Sequence, residues 1–152
     1  GLLPEPEREF YISGDAFVKD WIIKVRNDVP DAPVLVTAGG LLHYFEENKV
    51  ISLLRMIGQS GNMEVVFDTV NKKGMAMMQK KYMKQVGHAD AQMFFYVDAA
   101  KELAAKIRGN VKVIAEEPYY RYIPKNGLKL STKVSMAVSD QFKMVKMIHL
   151  KL

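Results

Sequence analysis

The chain contains no cysteine and no long apolar run, and each absence excludes a class of protein. Without thiols there is no disulfide framework, no zinc site built on thiolates and no cysteine nucleophile. No apolar segment approaches the roughly 18–20 residues that a membrane-spanning helix needs, and the opening residues GLLPEPEREF lack the basic and apolar regions of a signal peptide. We therefore expect a cytoplasmic protein without a membrane as its partner.

The residues that are present are sufficient for a single folded domain with its own core. The chain has 152 residues, of which 49% are apolar. Its net charge of +5, from 22 basic and 17 acidic residues, raises the question of a nucleic-acid partner. The positive charge is densest in residues 71–88, where Tyr82 is the single aromatic residue and the series of aromatics that base stacking needs is missing. We therefore do not expect nucleic acid as a partner.

The basic segment 71–88 allows two interpretations. One is an amphipathic helix that packs its methionines inward and exposes its lysines to water. The other is a methionine-lined lid over a substrate site, because methionine adapts to irregular apolar ligands. The second interpretation predicts that residues 71–97 form the lid. The residues that carry both interpretations are Lys72, Lys73, Met75, Met77, Met78, Lys80, Lys81, Met83 and Lys84.

Strand and helix patterns alternate along the chain. Apolar runs and turn residues predict strands at 9–13, 34–37, 63–70, 111–115 and 145–152. Helical spacing predicts helices at 16–26, at 46–57, from an N-cap at Asp98 to a stop at Gly109, and at 131–143. This alternation predicts an α/β fold with a largely parallel sheet. The unbroken apolar runs at 34–36 and 63–70 predict strands covered on both faces.

Two short loops follow the first two predicted strands and are expected to face one crevice. They are residues 14–17 (GDAF) and residues 38–42 (AGGLL), and the carboxyl ends of parallel strands lie at the same edge of a sheet. There, Asp15 can accept hydrogen bonds from an amino group or a ribose hydroxyl, and Phe17 can cover a flat ring. Equally, Asp15 can cap the next helix while Phe17 enters the core. The Gly39–Gly40 pair indicates either close approach of a ligand or a tight turn.

Five segments taken in order resemble a known enzyme family. They are GDAFVKDW, PVLVTAGGLLHYF, EVVFDTV, FFYVDAAKEL and KMVKMIHLKL. Together they resemble the carboxyl-terminal part of a class I S-adenosylmethionine-dependent methyltransferase. They are most similar to the leucine carboxyl methyltransferase family, which includes polyketide O-methyltransferases of the tetracenomycin type. The resemblance implies that residues 1–152 are the carboxyl-terminal part of one methyltransferase domain.

The resemblance implies a fold and a reaction. The fold would be a Rossmann-like α/β sheet, mostly parallel with an antiparallel last strand, that lacks the first two strands of the family. The reaction would be methyl transfer from S-adenosyl-L-methionine to a carboxylate or hydroxyl oxygen of a small molecule or peptide. The implied cofactor-binding residues are Asp15, Ala16, Phe17, Ala38, Gly39, Gly40 and Leu41. The family usually carries a glutamate where Gly39 stands, so part of that contact is missing here.

The family's glycine-rich cofactor loop and first two strands have no counterpart in the chain. Strand 34–37 then becomes an exposed edge that is prone to pair with another strand. We expect it to be covered by a missing amino-terminal half or by a second copy of the chain. The same departures from the family pattern leave an alternative function open, namely a non-catalytic methyltransferase-like interaction module.

A hydroxyl acceptor needs a general base, and the chain offers few. His43 follows the glycine pair and has the ordinary pKa range for proton transfer, although a histidine beside an aromatic residue is also a common structural element. Other candidates are His88, His149 and Asp68. Three tyrosines, Tyr119, Tyr120 and Tyr122, form either a substrate wall or a buried strand end. No pattern of metal ligands is present, so no metal is expected.

Overall fold

The computed structural model describes residues 10–85 and 92–152, and the side chains among them except those of residues 81–85. Within this part of the chain, the strands are β1 (Val34–Ala38), β2 (Met63–Val70), β3 (Lys112–Pro118) and β4 (Val145–Lys151). The helices are α1 (Asp20–Asp28), α2 (Glu47–Gly58), α3 (Lys72–Gln85), α4 (Ala100–Ile107) and α5 (Leu130–Gln141), with a 3₁₀ turn at Leu42–Tyr44. None of these helices is long and apolar enough to cross a bilayer.

The four strands form one mixed sheet in the order β1-β2-β4-β3. β1 pairs with β2 in parallel, and β4 is antiparallel to both β2 and β3. The first three strands therefore run in one direction and the last opposes them. The α/β class and the reversed last strand agree with the sequence expectation. The carboxyl ends of β1, β2 and β3 lie at the same edge of the sheet, which we call the loop edge.

The main core lies between one face of the sheet and helices α2 and α4. The two helices present apolar residues at helical spacing toward the sheet, and removing these side chains from water drives their packing. The buried residues of α2 are Val50, Ile51, Leu53, Leu54 and Ile57. Arg55 joins the two helices, because its guanidinium donates to the carbonyl oxygens of Lys106 at 2.6 Å and Ile107 at 2.7 Å. The helix predicted at 46–57 is thus confirmed to within one residue.

The prediction that β1 is covered on both faces is wrong. Its residues alternate between half-buried and exposed, and the Leu35 side chain is 57% exposed. The reason is its position, because β1 is the edge strand of the described sheet and only one of its faces meets a helix layer. β2 lies between two strands, and its residues alternate between buried and half-buried. Unbroken apolar character alone therefore does not distinguish an edge strand from a central one.

The first predicted strand is also wrong, since residues 10–13 form no strand and residue 9 lies outside the described residues. The next helix starts at Asp20 instead of residue 16. Between them, the Asp15 carboxylate accepts the backbone N–H of Phe17 at 2.9 Å, and its carbonyl accepts that of Val18 at 3.1 Å. This local side-chain bond stabilises a turn in place of the first helical residues.

Helix α4 is capped by a remote residue and not by Asp98. The Glu116 carboxylate accepts the backbone N–H of Ala100 at 3.2 Å and the ammonium of Lys146 at 2.7 Å. The Lys146 side chain is only 1% exposed, and it also donates to the carbonyl of Asp98. The Asp98 carboxylate instead accepts the N–H of Lys72 at 2.9 Å, at the start of α3. The stop before Gly109 is confirmed, because α4 ends at Ile107.

Helix α3 fits the amphipathic interpretation in the part that the structure describes. Met75 is buried and packs with Val70 and Met93, whereas Met77 is 58% exposed. Lysines 72, 73 and 80 are exposed. Gly74 fits there because a Cβ would lie 2.5 Å from the carbonyl oxygen of Met144. The lid that residues 71–97 would form stays a prediction, and His88 lies outside the described residues.

The end of the sheet opposite the loop edge is held by one arginine. The Arg26 guanidinium donates to the carbonyls of Ala32 at 2.7 Å and Ser60 at 3.0 Å, in the loops before β1 and β2. It also donates to the carbonyls of Val29, Gly61 and Asn62. The side chain therefore joins α1 to both chain segments that enter the parallel pair of strands.

Candidate functional site

A cavity of about 280 Å³ lies beside β1, near the loop edge. Its wall is formed by the segment before α1, helix α1, strand β1 with its loop, helix α2 and strand β2. The lining residues are Ile12, Gly14, Ala16, Trp21, Val36, Thr37, Ala38, Leu41, Leu42, Leu53, Leu54, Ile57 and Val65. Apart from Thr37, these side chains are apolar or absent, so the wall suits an apolar or flat ligand group.

The two loops that the sequence places at one crevice meet at this cavity. Ala16 lines it from the first loop, and Ala38 and Leu41 line it from the second. The remaining implied residues, Asp15, Phe17, Gly39 and Gly40, are not part of the wall but are chain neighbours of residues that are. The first loop reaches the cavity although the strand predicted before it does not form.

Asp15 and Phe17 both have structural contacts. Asp15 is exposed, and one oxygen of its carboxylate accepts the turn N–H described above. The Phe17 ring packs edge-on against Phe45, with ring centroids 4.5 Å apart, and the Lys49 ammonium lies 4.3 Å from its centroid. Phe17 therefore lies at the border of the core, in agreement with the alternative that it packs into the core. Asp15 caps a turn and not the helix.

The two glycines after β1 have different roles. Gly40 has a φ of +65°, a conformation that side chains disfavour, and its N–H donates to the carboxylate of Asp68 at 2.6 Å. Asp68 lies near the carboxyl end of β2, so that strand holds the loop after β1 in place. Gly39 has no such constraint, and a Cβ there would meet no atom within 4 Å. The tight-turn interpretation thus applies to Gly40, while open space surrounds Gly39.

His43 is packed inside the 3₁₀ turn and does not line the cavity. It is 8% exposed, and its ring centroid lies 4.4 Å from that of Tyr44. Its carbonyl accepts the N–H groups of Phe94 at 2.8 Å and Phe95 at 3.3 Å. Burial lowers the pKa of His43, and the negative charge of Asp68 opposes part of that effect. The imidazole is therefore neutral near pH 7.

The other candidate residues lie apart from the cavity wall. His149 is in the middle of β4, where its Nε2 lies 2.7 Å from the Glu64 carboxylate. Tyr119 and Tyr120 pack edge to face at 5.2 Å, and burial raises the pKa of Tyr120. Tyr122 is 76% exposed, which contradicts a buried strand end for that residue. Among the described residues no cluster of histidine and carboxylate side chains is arranged to hold a metal ion.

Sequence reasoning missed Trp21 and the α2 part of the wall. Trp21 donates its indole N–H to the carbonyl of Ala16 at 2.9 Å, which fixes the first loop against the cavity. Leu53 and Leu54 line the cavity from α2, a helix that the spacing predicts but does not assign to the site. The signal in the sequence was a tryptophan one helical turn after the GDAF loop, because a large side chain with one donor usually finds a nearby partner.

The cavity fits a nucleoside-bearing cofactor in the residues that are present. Its wall offers apolar surface for a flat ring, and the exposed carboxylate of Asp15 lies next to the wall residue Ala16. The space around Gly14 and Gly39 is open, because a Cβ at either position would meet nothing within 4 Å.

Comparison with known proteins gives one informative similarity. No protein-family model matches the chain. The chain is 32% identical over 117 residues to the S-adenosyl-L-methionine-dependent methyltransferase dpfgK of Gibberella zeae, an alignment that covers 70% of this chain and 38% of that protein. The chain thus spans about two-fifths of the length of the relative that it matches. The similarity supports the methyltransferase level of the resemblance. The narrower leucine carboxyl methyltransferase family stays a prediction.

Proposed function

We propose that this chain is part of an S-adenosyl-L-methionine-dependent methyltransferase of the leucine carboxyl methyltransferase type. Its reaction would be O-methyl transfer to a carboxylate or hydroxyl of a small molecule or peptide. The observation that carries the proposal is the cavity at which residues 14–16 and 38–41 meet. The similarity to a methyltransferase supports methyl transfer over a non-catalytic interaction module, whatever the acceptor.

The chain's own residues would act by binding and orientation. The cofactor, when bound, supplies the methyl group. Asp15 would accept hydrogen bonds from the nucleoside, and the Asp68–Gly40 bond would keep the second loop in its bound conformation. Fixing both reactants can be worth about 7–11 kcal/mol of the barrier in well-aligned systems. The preorganised loops at the loop edge are therefore the main contribution that this chain can make to lowering the reaction barrier.

The acceptor determines whether a base is needed. A carboxylate acceptor needs none, because its oxygen is already a nucleophile. For a hydroxyl acceptor, we propose His43 as the base, since burial lowers its pKa and keeps a neutral imidazole available at pH 7. Because His43 does not line the cavity, this role requires the acceptor oxygen to reach the imidazole from outside the cavity.

We further propose that another strand covers the free edge of β1. In the described sheet β1 has a strand neighbour on one side, β2, and the Leu35 side chain stands 57% exposed. The occupant would be an amino-terminal half of the same protein or a second copy. Either would satisfy the backbone groups of the edge and enclose the cavity.

Titration calorimetry of the chain with S-adenosylmethionine tests the cofactor site. We expect binding in the micromolar range that Ala16→Trp abolishes, because the new side chain would fill the cavity. Ala105→Trp, at an exposed position of α4, is the matched control and should bind as the original chain does. An absence of heat at millimolar ligand would contradict a working site in this chain.

Gly39→Glu tests the family comparison at the same site. The position has room for a side chain, and a carboxylate there would add a charge-assisted hydrogen bond, so we expect about tenfold tighter binding. Gly39→Gln has nearly the same size without the charge and should improve binding less. Equal affinities of the two variants would show that the lost glutamate does not limit cofactor binding.

A further inference from the structure

Helix α5 has an exposed apolar face. Leu130, Val134, Val138 and Phe142 follow each other at intervals of four residues, and all four are exposed, Leu130 by 77%. The helix buries a single residue, Met136. Its two charged residues, Lys133 and Asp140, are half-buried, so every fully exposed position of the helix is uncharged. This arrangement is the reverse of an ordinary surface helix, whose exposed face is polar.

The segment before α5 adds to this apolar surface. Residues 119–142 contain eight of the 20 exposed large apolar side chains in the described residues. They are Tyr119, Tyr122, Ile123, Leu128, Leu130, Val134, Val138 and Phe142. We call residues 119–143 the α5 surface. A concentration of this kind marks a site of interaction, because single exposed apolar residues are normally scattered.

The α5 surface is also basic. Residues 119–143 contain five basic residues and one acidic residue, which gives this segment a net charge of +4. The basic residues are Arg121, Lys125, Lys129, Lys133 and Lys143. Arg121 pairs with Glu117, whereas the four lysines form no ion pair within residues 10–80 and 92–152. The Asp140 carboxylate is already bonded to the N–H of Tyr120 at 3.0 Å.

The α5 surface lies at the loop edge of the sheet. It begins where β3 ends, at Pro118, and finishes before β4 starts, at Val145. Because β3 runs parallel to β1, this is the edge that also carries the loop around Gly40. A partner bound to the α5 surface would therefore sit on the same side of the protein as the proposed site.

We propose that the α5 surface docks on an anionic phospholipid bilayer. Exposed leucine, valine and phenylalanine enter the boundary between headgroups and acyl chains, tyrosine favours that boundary, and lysines attract anionic headgroups. A second copy of the chain is a poorer occupant, since a symmetric contact would bring two surfaces of +4 charge together. Docking of this kind needs no spanning helix and does not depend on methyl transfer. The sequence-based expectation of no membrane partner rested on the lack of such a helix.

Vesicle flotation of the 152-residue chain tests the proposal. We expect binding to phosphatidylcholine vesicles that contain phosphatidylserine and little binding to phosphatidylcholine alone. Leu130→Ser/Val134→Ser should lower the partition coefficient at least about tenfold. The control Ile23→Ser/Met77→Ser removes two exposed apolar helical residues elsewhere and should bind normally. No binding to either vesicle, or equal losses in both variants, would overturn the proposal.

Charge reversal and oligomeric state complete the test. Lys125→Glu/Lys129→Glu should reduce binding by a further order of magnitude, because each lysine near such a bilayer contributes about 1 kcal/mol. Lys24→Glu/Lys101→Glu changes the net charge equally at exposed positions outside residues 119–143 and should have a small effect. Sedimentation velocity distinguishes the alternative occupant. A dimer that Leu130→Ser/Val134→Ser dissociates would overturn the proposal and assign the surface to a second copy.

Discussion

Two strand–helix–strand units of this protein differ in what their helices cover. The first unit is β1–α2–β2 and the closing unit is β3–α5–β4, and both helices have 12 residues. Helix α2 buries five residues, whereas α5 buries Met136 alone. Parallel strands need a crossover that passes over the sheet, while antiparallel strands can be joined at one end. The topology therefore forces α2 onto the sheet and leaves the apolar face of α5 outside the core.

The last strands of the two units, β2 and β4, also differ in the residues that they bury on the core face of the sheet. The core face of β2 carries Met63, Val65 and Phe67, all buried. The corresponding face of β4 starts with the buried Lys146, whose ammonium needs Glu116. The first unit is held by apolar contact and the closing unit depends in part on one ion pair. This difference leads to four predictions.

Glu116→Ala should have the largest effect, because it leaves the Lys146 ammonium buried without a carboxylate and removes the cap of α4. We expect the free energy of unfolding to fall by about 3–5 kcal/mol at pH 7. Glu117→Ala, whose carboxylate is exposed and paired with Arg121, should cost at most about 1 kcal/mol. Urea denaturation measures both. Equal losses would remove the distinction between the two glutamates.

Leu54→Ala and Leu130→Ala compare the two helices directly. Leu54 is fully buried in α2, so we expect a loss of about 2–5 kcal/mol. Leu130 is 77% exposed at the start of α5, and its truncation should change stability by no more than about 0.5 kcal/mol. Thermal and urea unfolding give the values. A large loss for Leu130→Ala would mean that α5 packs against the domain in solution.

The ion pair also predicts a loss of stability in acid. Burial acts to raise the pKa of Glu116, but the hydrogen bonds from Lys146 and Ala100 and the charge of Lys146 outweigh it, so the pKa lies below its ordinary value of 4.5. A carboxyl with a depressed folded-state pKa contributes stability above pH 4.5 that is lost as the pH falls through the folded value. Urea midpoints between pH 7 and pH 3 should therefore fall more for the original chain than for Glu116→Ala. Parallel curves would contradict this assignment.

The loop of the first unit should show the smallest effects. Gly40→Ala places a side chain at φ +65°, so we expect a loss of about 1 kcal/mol. Gly39→Ala meets open space and should be neutral or stabilising by about 0.4–1 kcal/mol, through restriction of the unfolded chain. Urea denaturation separates the two. Equal costs would show that Gly39 is constrained as tightly as Gly40.

The sequence predicts correctly the helices, strands and turns whose structure depends on local spacing or on neighbouring residues in the chain. Helix α2 and strand β4 are found within one residue of their predicted bounds, because their buried apolar residues recur at the spacing of one helix face and one strand face. The residues PKNG at 124–127 also predict a turn, and the structure has one there, with Gly127 at φ +74°. The regular spacing of apolar residues is a local property of the sequence. It is sufficient to predict a helix or strand that packs directly on the core.

Predictions that needed distant contacts were wrong or incomplete. Asp98 precedes α4 and looks like its cap, but Glu116 from β3 occupies that role. Residues 10–13 have the composition of a strand, but within the described residues no strand pairs with them. For the site, the prediction that the two loops face one crevice relied on a strand at 9–13 that does not form. The first loop is instead held at the cavity by the bond from Trp21 to Ala16, one helical turn away.

The Arg26 contacts have a consequence for how the molecule divides its rigidity. Five carbonyl oxygens at the amino end of the parallel strands converge on one guanidinium, which has five N–H donors. A single side chain therefore fastens that end of the molecule. The opposite edge is restrained differently, because the contact between the Gly40 N–H and the Asp68 carboxylate holds the glycine turn there.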